Sequence, residues 1–323
     1  GGRWISALQP AKTRRQGRGR TATDQDAEKC RRQMGIATEI QVFALRPSER
    51  GLTGSNSCPA SDLTPIGPRR RHDFPFFLCY TEKFATFRLP VGVCMRYEGP
   101  IYRPPSEADS LLIQATVGCP HNRCTFCMVY KNGPRFRVRP VAEIEAEIEE
   151  AARGSGDRVK TLFFPAGNTI AMKTEDLARI CRTARRFFPR LSRITVYGSS
   201  QYIHRKGPDG LRRLAEAGLS RIHVGLESGD DEILKNVRKG CDSRIQVTAC
   251  RWAKEAGIEL SLYVVLGLGG KDRTVPHAEK SAEAINLIGP DFVRLRTFVP
   301  KIGTPMLEDV QQGRLVMLGP HGV

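Results

Sequence analysis

The sequence LLIQATVGCPHNRCTFC, residues 111–127, joins a short apolar run to three closely spaced cysteines. The apolar run covers residues 111–117 and ends in a Gly-Cys-Pro turn, a pattern typical of a buried strand. Cys119, Cys124 and Cys127 therefore lie on a loop that follows directly after the first predicted strand. Three thiols on one loop can converge on a metal ion or a metal cluster, so the elements around this loop decide which fold presents them.

Strands and helices alternate along the rest of the chain. The predicted strand segments are residues 111–117, 159–165, 193–198, 221–227, 258–270 and 291–300. The predicted helices are residues 140–153, 174–188, 209–218, 242–257 and 275–289, the second with Thr174 as its N-cap. We predict an α/β fold, a partial (βα)6 TIM-like barrel with a parallel sheet, because strands joined through helices pair in parallel. An open, doubly wound sheet is the alternative; polar turns directly after strands favour the barrel, whose mouth they would line.

The chain divides near Met95 in composition. Residues 1–94 begin without a methionine, contain runs such as RRQGRGR and PRRR, and show no lasting apolar period. We expect this part to be a basic, disordered extension of low order that is not native, with the natural protein starting at Met95. Residues 95–323 form the predicted core, and since no capping element is predicted after the last strand, we expect a C-terminal truncation.

Charge and cysteine content narrow the class of protein. Lys and Arg exceed Asp and Glu by 51 − 34 = 17, with residues 1–94 contributing 16 basic and 8 acidic side chains. Aromatic residues are not interleaved with the arginines, so we expect no nucleic-acid partner. Ten cysteines without an export signal indicate a reducing cytoplasm, and no run of 18 apolar residues is present to span a membrane.

Three interpretations of the cysteine loop follow from the residues alone. Zinc could be bound by Cys119, His121, Cys124 and Cys127, although a second C-x2-C pair is missing. A disulfide would leave one thiol over and does not fit a reducing compartment. Three thiolates without a fourth match a [4Fe–4S] cluster that keeps one iron open for another molecule.

The segments GCPHNRCTFCMVYK and HVGLESGDDEIL resemble the radical S-adenosylmethionine superfamily, within it the iron–sulfur oxidoreductase group related to coproporphyrinogen-oxidase-like and B12-type proteins. The resemblance runs from about Met95 to Pro305, although the loop is C-x4-C-x2-C, one residue longer than the commonest spacing. It implies a [4Fe–4S] cluster on Cys119, Cys124 and Cys127. It also implies that S-adenosylmethionine is cleaved to a 5′-deoxyadenosyl radical that takes hydrogen from a substrate, with a reductant such as flavodoxin or ferredoxin.

The resemblance also places cofactor contacts after individual strands. The implied cofactor-binding residues are Phe126, Ala166, Gly167, Asn168, Glu227, Ser228, Leu266 and Gly267. PAGNT, residues 165–169, has no acidic residue, so recognition of the methionine amine would rest on backbone carbonyls and the Asn168 side chain. The alternatives are structural: Gly-Asn is an ordinary turn pair, and Glu227 or Ser228 could cap the following helix.

The substrate and the catalytic residues are not indicated by the sequence. Arg294 and Arg296 alternate on the sixth predicted strand and share one face, pointing either towards an anionic substrate or into solvent. Two other functions stay open, a zinc-stabilised nucleic-acid-binding protein and an iron–sulfur electron-transfer protein. Neither of them requires polar turns after strands two, four and five.

Overall fold

A computed structural model of the chain describes residues 95–99 and 101–319, without the side chain of Ser155. The predicted extension, residues 1–94, lies outside the described residues. In the described part, no helix combines the length and the apolar character needed to cross a bilayer.

Eight strands form two sheets within the described residues. The strands are β1 (Leu111–Leu112), β2 (Thr116–Val117), β3 (Arg137–Val138), β4 (Thr161–Phe164), β5 (Arg193–Gly198), β6 (Arg221–Glu227), β7 (Glu259–Leu266) and β8 (Phe292–Thr297). Six of them make one sheet in the order β1-β4-β5-β6-β7-β8, in which all neighbours are parallel. Strands β2 and β3 form a separate antiparallel pair beside the cysteines. Since β1 does not pair with β8 in the described part, the sheet is open, and the predicted partial barrel is confirmed.

In the described part of the chain, helices connect successive strands of the large sheet, and one more helix follows its last strand. They are α1 (Val141–Ser155), α2 (Thr174–Phe187), α3 (Ser200–Glu216), α4 (Asp231–Asn236), α5 (Ser243–Glu255), α6 (Thr274–Ile288) and α7 (Pro305–Gln311). Asp242 caps α5 by accepting a hydrogen bond from the Ile245 amide at 2.7 Å. A helix after each strand returns the chain to the same edge of the sheet, so the carboxyl ends of the strands lie together.

The core lies between the sheet and these helices. Outward side chains of the central strands, among them Ile222, Val224, Leu260 and Leu262, are fully buried. Burying each of these is worth about 1.5 to 3 kcal/mol relative to exposure. The alternate residues of the same strands face the inside of the curved sheet and are more polar, so the inner face is free for chemistry.

Three sequence predictions about single elements were wrong. The first strand, predicted over 111–117, is two short strands that belong to different sheets. In α3 the non-helical Gly207, whose φ is +66°, separates two helical stretches; the second corresponds to the helix predicted over 209–218, and the first was not predicted. Lys173, not Thr174, occupies the N-cap of α2, and α7 follows the last strand where no element was predicted.

Candidate functional site

The three predicted ligand cysteines lie together on the loop between β2 and β3, residues 118–136, called the cysteine loop below. All three are half-buried and free. Burial raises the pKa of the Cys124 thiol to about 11; the charge of Lys239 acts against this rise, while Cys127 and Cys119 add to it. The Cys124 thiol is thus within electrostatic range of the other two cysteines and of the buried Lys239 ammonium.

Two neighbouring segments hold the cysteine loop. The Thr125 amide donates to the Val237 carbonyl at 3.0 Å, and the Thr125 carbonyl accepts from the Met306 amide at 3.3 Å. Phe126 packs with Val237 and Met306 in a small hydrophobic cluster outside the main core. The loop is therefore fixed between the end of α4 and the start of α7, which positions Cys124 and Cys127 on either side of a packed aromatic ring.

His121 has a partner other than a metal. Its Nε2 lies 2.7 Å from the carbonyl oxygen of Arg238, and burial lowers its pKa. Among residues 95–99 and 101–319, no three His, Cys, Asp or Glu side chains are arranged to hold a single metal ion. A [4Fe–4S] cluster differs from a zinc ion in this respect, because each cysteine binds a different iron and the thiolates stay further apart. The donor set of three cysteines fits the cluster, and His121 positions the loop.

The turn after β4 packs directly against the cysteine loop. The Gly167 amide donates to the Gly118 carbonyl at 3.2 Å. A Cβ on Gly167 would lie 2.8 Å from Cys119 Cβ and 2.6 Å from Tyr130 Cε2, so no larger residue fits without displacing one of them. Ala166 has φ of +102°, a backbone conformation that favours glycine. The predicted cofactor-binding residues Ala166 and Gly167 thus lie beside Cys119, the first predicted cluster ligand.

Asn168 ties this turn to the next strand. Its Oδ1 accepts from the Ser199 amide at 2.8 Å, and its Nδ2 donates to Ser199 Oγ at 3.1 Å. The side chain is 3% exposed. Both ends of the amide are engaged in joining two strand ends, so the backbone carbonyls of the turn are the groups left for an amine.

Glu227 ends β6 in an unusual conformation and pairs with a lysine that the sequence did not indicate. Its φ is +64°, and the register of β6 against β7 shifts between Gly225 and Glu227. Lys239 Nζ donates to Glu227 Oε1 at 2.7 Å, with side chains 7% and 12% exposed. Burial opposes the charge of Lys239, but Glu227 and Cys124 outweigh it and raise its pKa. The ammonium is therefore charged, and its charge acts on the Cys124 thiol.

Gly225 makes room for this ion pair. A Cβ there would lie 2.1 Å from Glu227 Oε1 and 2.9 Å from Lys239 Nζ. Lys239 itself precedes Gly240, whose φ is +88°, and its neighbour Arg238 has φ of +54°. Sequence reasoning missed Lys239 because a lysine after a short helix is usually solvated, and only its contact with Glu227 distinguishes it.

Ser228 lies next to Glu227 but is turned to a different neighbour. Its Oγ is 2.8 Å from His277 Nδ1 and accepts from the Asp230 amide at 3.0 Å. None of the residue is exposed. The hydroxyl thus fixes the turn against α6, and its contact with a cofactor stays a prediction.

The predicted contacts after β7 lie at the same edge of the sheet. Leu266 is the last residue of β7, and Gly267 has φ of +76°. The Gly270 amide donates to the Gly267 carbonyl at 3.0 Å, which closes a tight turn. Leu268 within that turn joins the hydrophobic cluster that includes Phe126. The turn after β7 and the cysteine loop therefore share one packed wall.

Comparisons with known proteins agree with this arrangement. A profile of the family described as the Radical SAM superfamily matches residues 113–282, more than half of the chain. The heme chaperone HemW of Bacillus subtilis (strain 168) is 23% identical over 187 residues, 56% of this chain and 48% of that protein. A tRNA-2-methylthio-N(6)-dimethylallyladenosine synthase of Dehalococcoides mccartyi (strain CBDB1) is 27% identical over 215 residues, 64% and 49% of the two chains. The chain spans about half the length of these relatives.

A solved structure shares the fold. The radical S-adenosylmethionine methyltransferase TsrM from Kitasatospora setae, solved with cobalamin and a [4Fe-4S] cluster, superposes with a TM-score of 0.53. The match has 21% sequence identity and covers 63% of this chain and 39% of that chain. The likeness extends to the arrangement of the parallel sheet and its helices.

Proposed function

We propose, from the premise that the chain belongs to the radical SAM superfamily, that it cleaves S-adenosylmethionine reductively at a cluster held by Cys119, Cys124 and Cys127. Enzymes of this superfamily use a [4Fe–4S] cluster and S-adenosylmethionine, and they need a reductant. The chain is thus an enzyme whose cofactors follow from its family. That these three cysteines bind the cluster, and that flavodoxin or ferredoxin reduces it, belongs to the proposal.

The observation that carries the proposal is the contact between Gly167 and Cys119. Gly167 has no room for a Cβ atom, and the turn after β4 therefore packs directly against Cys119. In the proposal, the backbone of this turn, held beside Cys119, receives the amine of the cofactor. Neither a zinc-stabilised binding protein nor an electron carrier requires such a turn.

When bound, the reduced cluster supplies an electron that cleaves the sulfonium to methionine and a 5′-deoxyadenosyl radical, which abstracts hydrogen from the substrate. The chain's own residues position the partners and exclude water. Lys239 places a positive charge beside Cys124 and so favours the thiolate that binds iron. The hydrogen bonds of Glu227 leave Oε2 without a partner among residues 95–99 and 101–319, so this oxygen can accept from ribose hydroxyls.

Anaerobic reconstitution with iron and sulfide tests this function. The reduced protein is mixed with S-adenosylmethionine, and 5′-deoxyadenosine and methionine are measured. We expect about four iron atoms per chain and formation of both products. Cys124→Ala should lose the cluster, whereas Cys250→Ala, at a cysteine buried in α5 away from the loop, should retain it.

Each other outcome selects a different function. Stoichiometric zinc in a colourless protein would replace the proposal with a zinc site. A cluster that forms without any 5′-deoxyadenosine would favour electron transfer. Equal loss of iron in the Cys124 and Cys250 variants would show that the ligand assignment is wrong.

A further inference from the structure

A continuous row of rings lines the inner face of the sheet. The ring centroids of Phe163 and Tyr197 are 5.1 Å apart, those of Tyr197 and His223 are 5.7 Å apart, and those of His223 and Tyr263 are 6.0 Å apart. These residues come from the four neighbouring strands β4, β5, β6 and β7. The inside of the partial barrel is therefore an aromatic surface with polar atoms at its edges.

The charged side chains at the amino ends of these strands pair with groups of opposite charge. Glu107 is fully buried; its Oε1 lies 3.1 Å from His223 Nε2, and its Oε2 accepts from Ser110 Oγ at 2.6 Å. Arg193 Nη2 pairs with the same Oε2 at 3.2 Å. Arg221 is 2.8 Å from Glu259. The buried charges at the amino ends of the strands thus have partners of opposite sign, and no ligand is needed to balance them.

Arg294 and Arg296, on β8, are different. They pair in register with Tyr263 and Val265 of β7, and Arg294 Nε donates to Ser261 Oγ at 2.9 Å. The Arg296 guanidinium lies 5.9 Å from the centroid of the Tyr263 ring. These contacts show that both arginines face the inside of the sheet, which the sequence left open.

Neither of these two arginines pairs with a carboxylate within the described part of the chain. Burial raises the pKa of the Tyr263 hydroxyl, and the neighbouring charges of Arg294 and Arg296 act against this rise. Two guanidinium groups without a carboxylate partner thus lie side by side on one face of the sheet. Like charges at this separation repel each other, so a bound anion would stabilise the fold here.

Side chains of the inner face connect these arginines with the cysteine loop. Burial raises the pKa of Tyr197, and the neighbouring hydroxyls of Tyr263 and Tyr130 add to the effect. Tyr130 in turn lies against Gly167, which contacts Cys119. Arg296 is the second-last residue of β8, and the carboxyl ends of parallel strands meet at one edge. A molecule held by the arginines would therefore extend towards the cysteines.

We propose that the inner face binds the substrate through an oxyanion, a carboxylate or phosphate, held by Arg294 and Arg296. Guanidinium groups present paired N–H donors that match the oxygens of either anion. Arginines two residues apart on a strand have Cα atoms about 7 Å apart, so both can reach one group between them. The inference rests on the proposed function, since it places the substrate beside the radical chemistry.

The test measures anion binding on the reconstituted full chain. Thermal unfolding is followed with glutarate, inorganic phosphate and the uncharged analogue glutaramide. The Arg294→Gln/Arg296→Gln variant is compared with Arg244→Gln/Arg251→Gln, which removes two exposed arginines of α5. We expect one or both anions to raise the unfolding midpoint of the wild type and of the α5 variant more than glutaramide does, and this difference to be lost in the β8 variant.

The arms of the experiment separate the possible ligands. A response to glutarate alone assigns a carboxylate, and a response to phosphate alone assigns a phosphate. Arg294→Lys/Arg296→Lys should keep part of the response because it keeps both charges. If the double glutamine variant does not fold, Arg296→Gln alone replaces it, since Arg296 is exposed whereas Arg294 donates a hydrogen bond to Ser261 that its substitution would break.

Two results would overturn the inference. One is a wild type that responds to neither anion more than to glutaramide; the other is a β8 variant that responds as strongly as the wild type. Anions that are excluded from the protein surface stabilise folded proteins in general. This general effect acts equally on the α5 control, so comparison with that control removes it. Formation of 5′-deoxyadenosine by the wild type is a separate measurement, so anion binding without it would sink the proposed function and leave only the anion site on β8 standing.

Discussion

Gly167→Ala tests whether the turn after β4 shapes the cysteine loop. The added Cβ would lie 2.6 Å from Tyr130 Cε2, 2.8 Å from Cys119 Cβ and 3.0 Å from the Gly118 carbonyl oxygen. The Gly118 oxygen is a backbone atom and Cys119 Cβ is the first atom of its side chain, so neither of them can rotate away. Relief therefore requires movement of the loop that carries Cys119.

The cost follows from overpacking a tight contact. Inserting a methyl group into a packed region costs about 1 to 3 kcal/mol, and reduced freedom of the unfolded chain returns about 0.4 to 1 kcal/mol. For a domain of this size, a net loss of about 1 to 2 kcal/mol lowers the unfolding midpoint by roughly 2 to 8 °C. A displaced Cys119 should also reduce bound iron after reconstitution, a loss that stability alone would not produce.

Gly133→Ala is the matched control. Gly133 lies on the same loop, and a Cβ there would meet nothing closer than the Tyr130 carbonyl oxygen at 3.8 Å. We expect this variant to keep the iron content and the unfolding midpoint of the wild type. If Gly167→Ala binds as much iron as Gly133→Ala and unfolds at the same temperature, the turn does not shape the site and the reasoning fails.

Three further variants test the charges around the site. Lys239→Met should destabilise the fold by about 3 to 5 kcal/mol, because it leaves the Glu227 carboxylate buried without its partner. The double variant Lys239→Met/Glu227→Gln should recover most of that loss in urea unfolding; no recovery would mean that the two side chains are not coupled. Burial lowers the pKa of His277 below its usual 6.5, so below that pH the unfolded chain takes up a proton that the folded chain does not. The free energy of unfolding should therefore fall between about pH 7.5 and about pH 5.5, less so in His277→Gln, and an equal fall in both proteins would contradict this assignment.

The central strands were predictable because each carries its information locally. Strands β5 and β6 have the predicted bounds 193–198 and 221–227. Their outward residues are β-branched or large and apolar, and a turn follows each strand at once. Burial of one face by the flanking helices is enough to fix such segments, so the pattern along the chain suffices.

The first strand was mispredicted because its pairing depends on distant residues. Gln114 Nε2 donates to the Glu98 carbonyl at 2.9 Å, and Gln114 Oε1 accepts from the Glu98 amide at 2.7 Å. These bonds hold the middle of residues 111–117 against another segment, so that the chain leaves one sheet before it enters the next. An apolar run shows that a segment is buried, but it does not show which strand pairs with it.

The sequence predicted which segments form the site, but it did not predict which charged side chains pair there. The cysteine spacing and the segment VGLESG indicate the family, whose membership is confirmed. Lys239 follows Glu227 by twelve positions and reaches it only because α4 and a left-handed residue reverse the chain. Likewise, the orientation of Arg294 and Arg296 depends on register with β7, which no pattern within β8 specifies. Long-range register is thus the information that a single sequence lacks.

Backbone strain in the described residues is concentrated around the cysteines. Within that part of the chain, the residues other than glycine with positive φ are Asn122, Ala166, Glu227 and Arg238. Each such conformation costs of order 1 kcal/mol or more and persists only where its surroundings enforce it. Asn122 donates to the Tyr130 carbonyl, and the Arg238 carbonyl contacts His121, so both lie in the contacts that hold the cysteine loop. The buried sheet therefore supplies the stability that keeps this edge in conformations the local sequence would not adopt, as expected where geometry serves chemistry rather than folding.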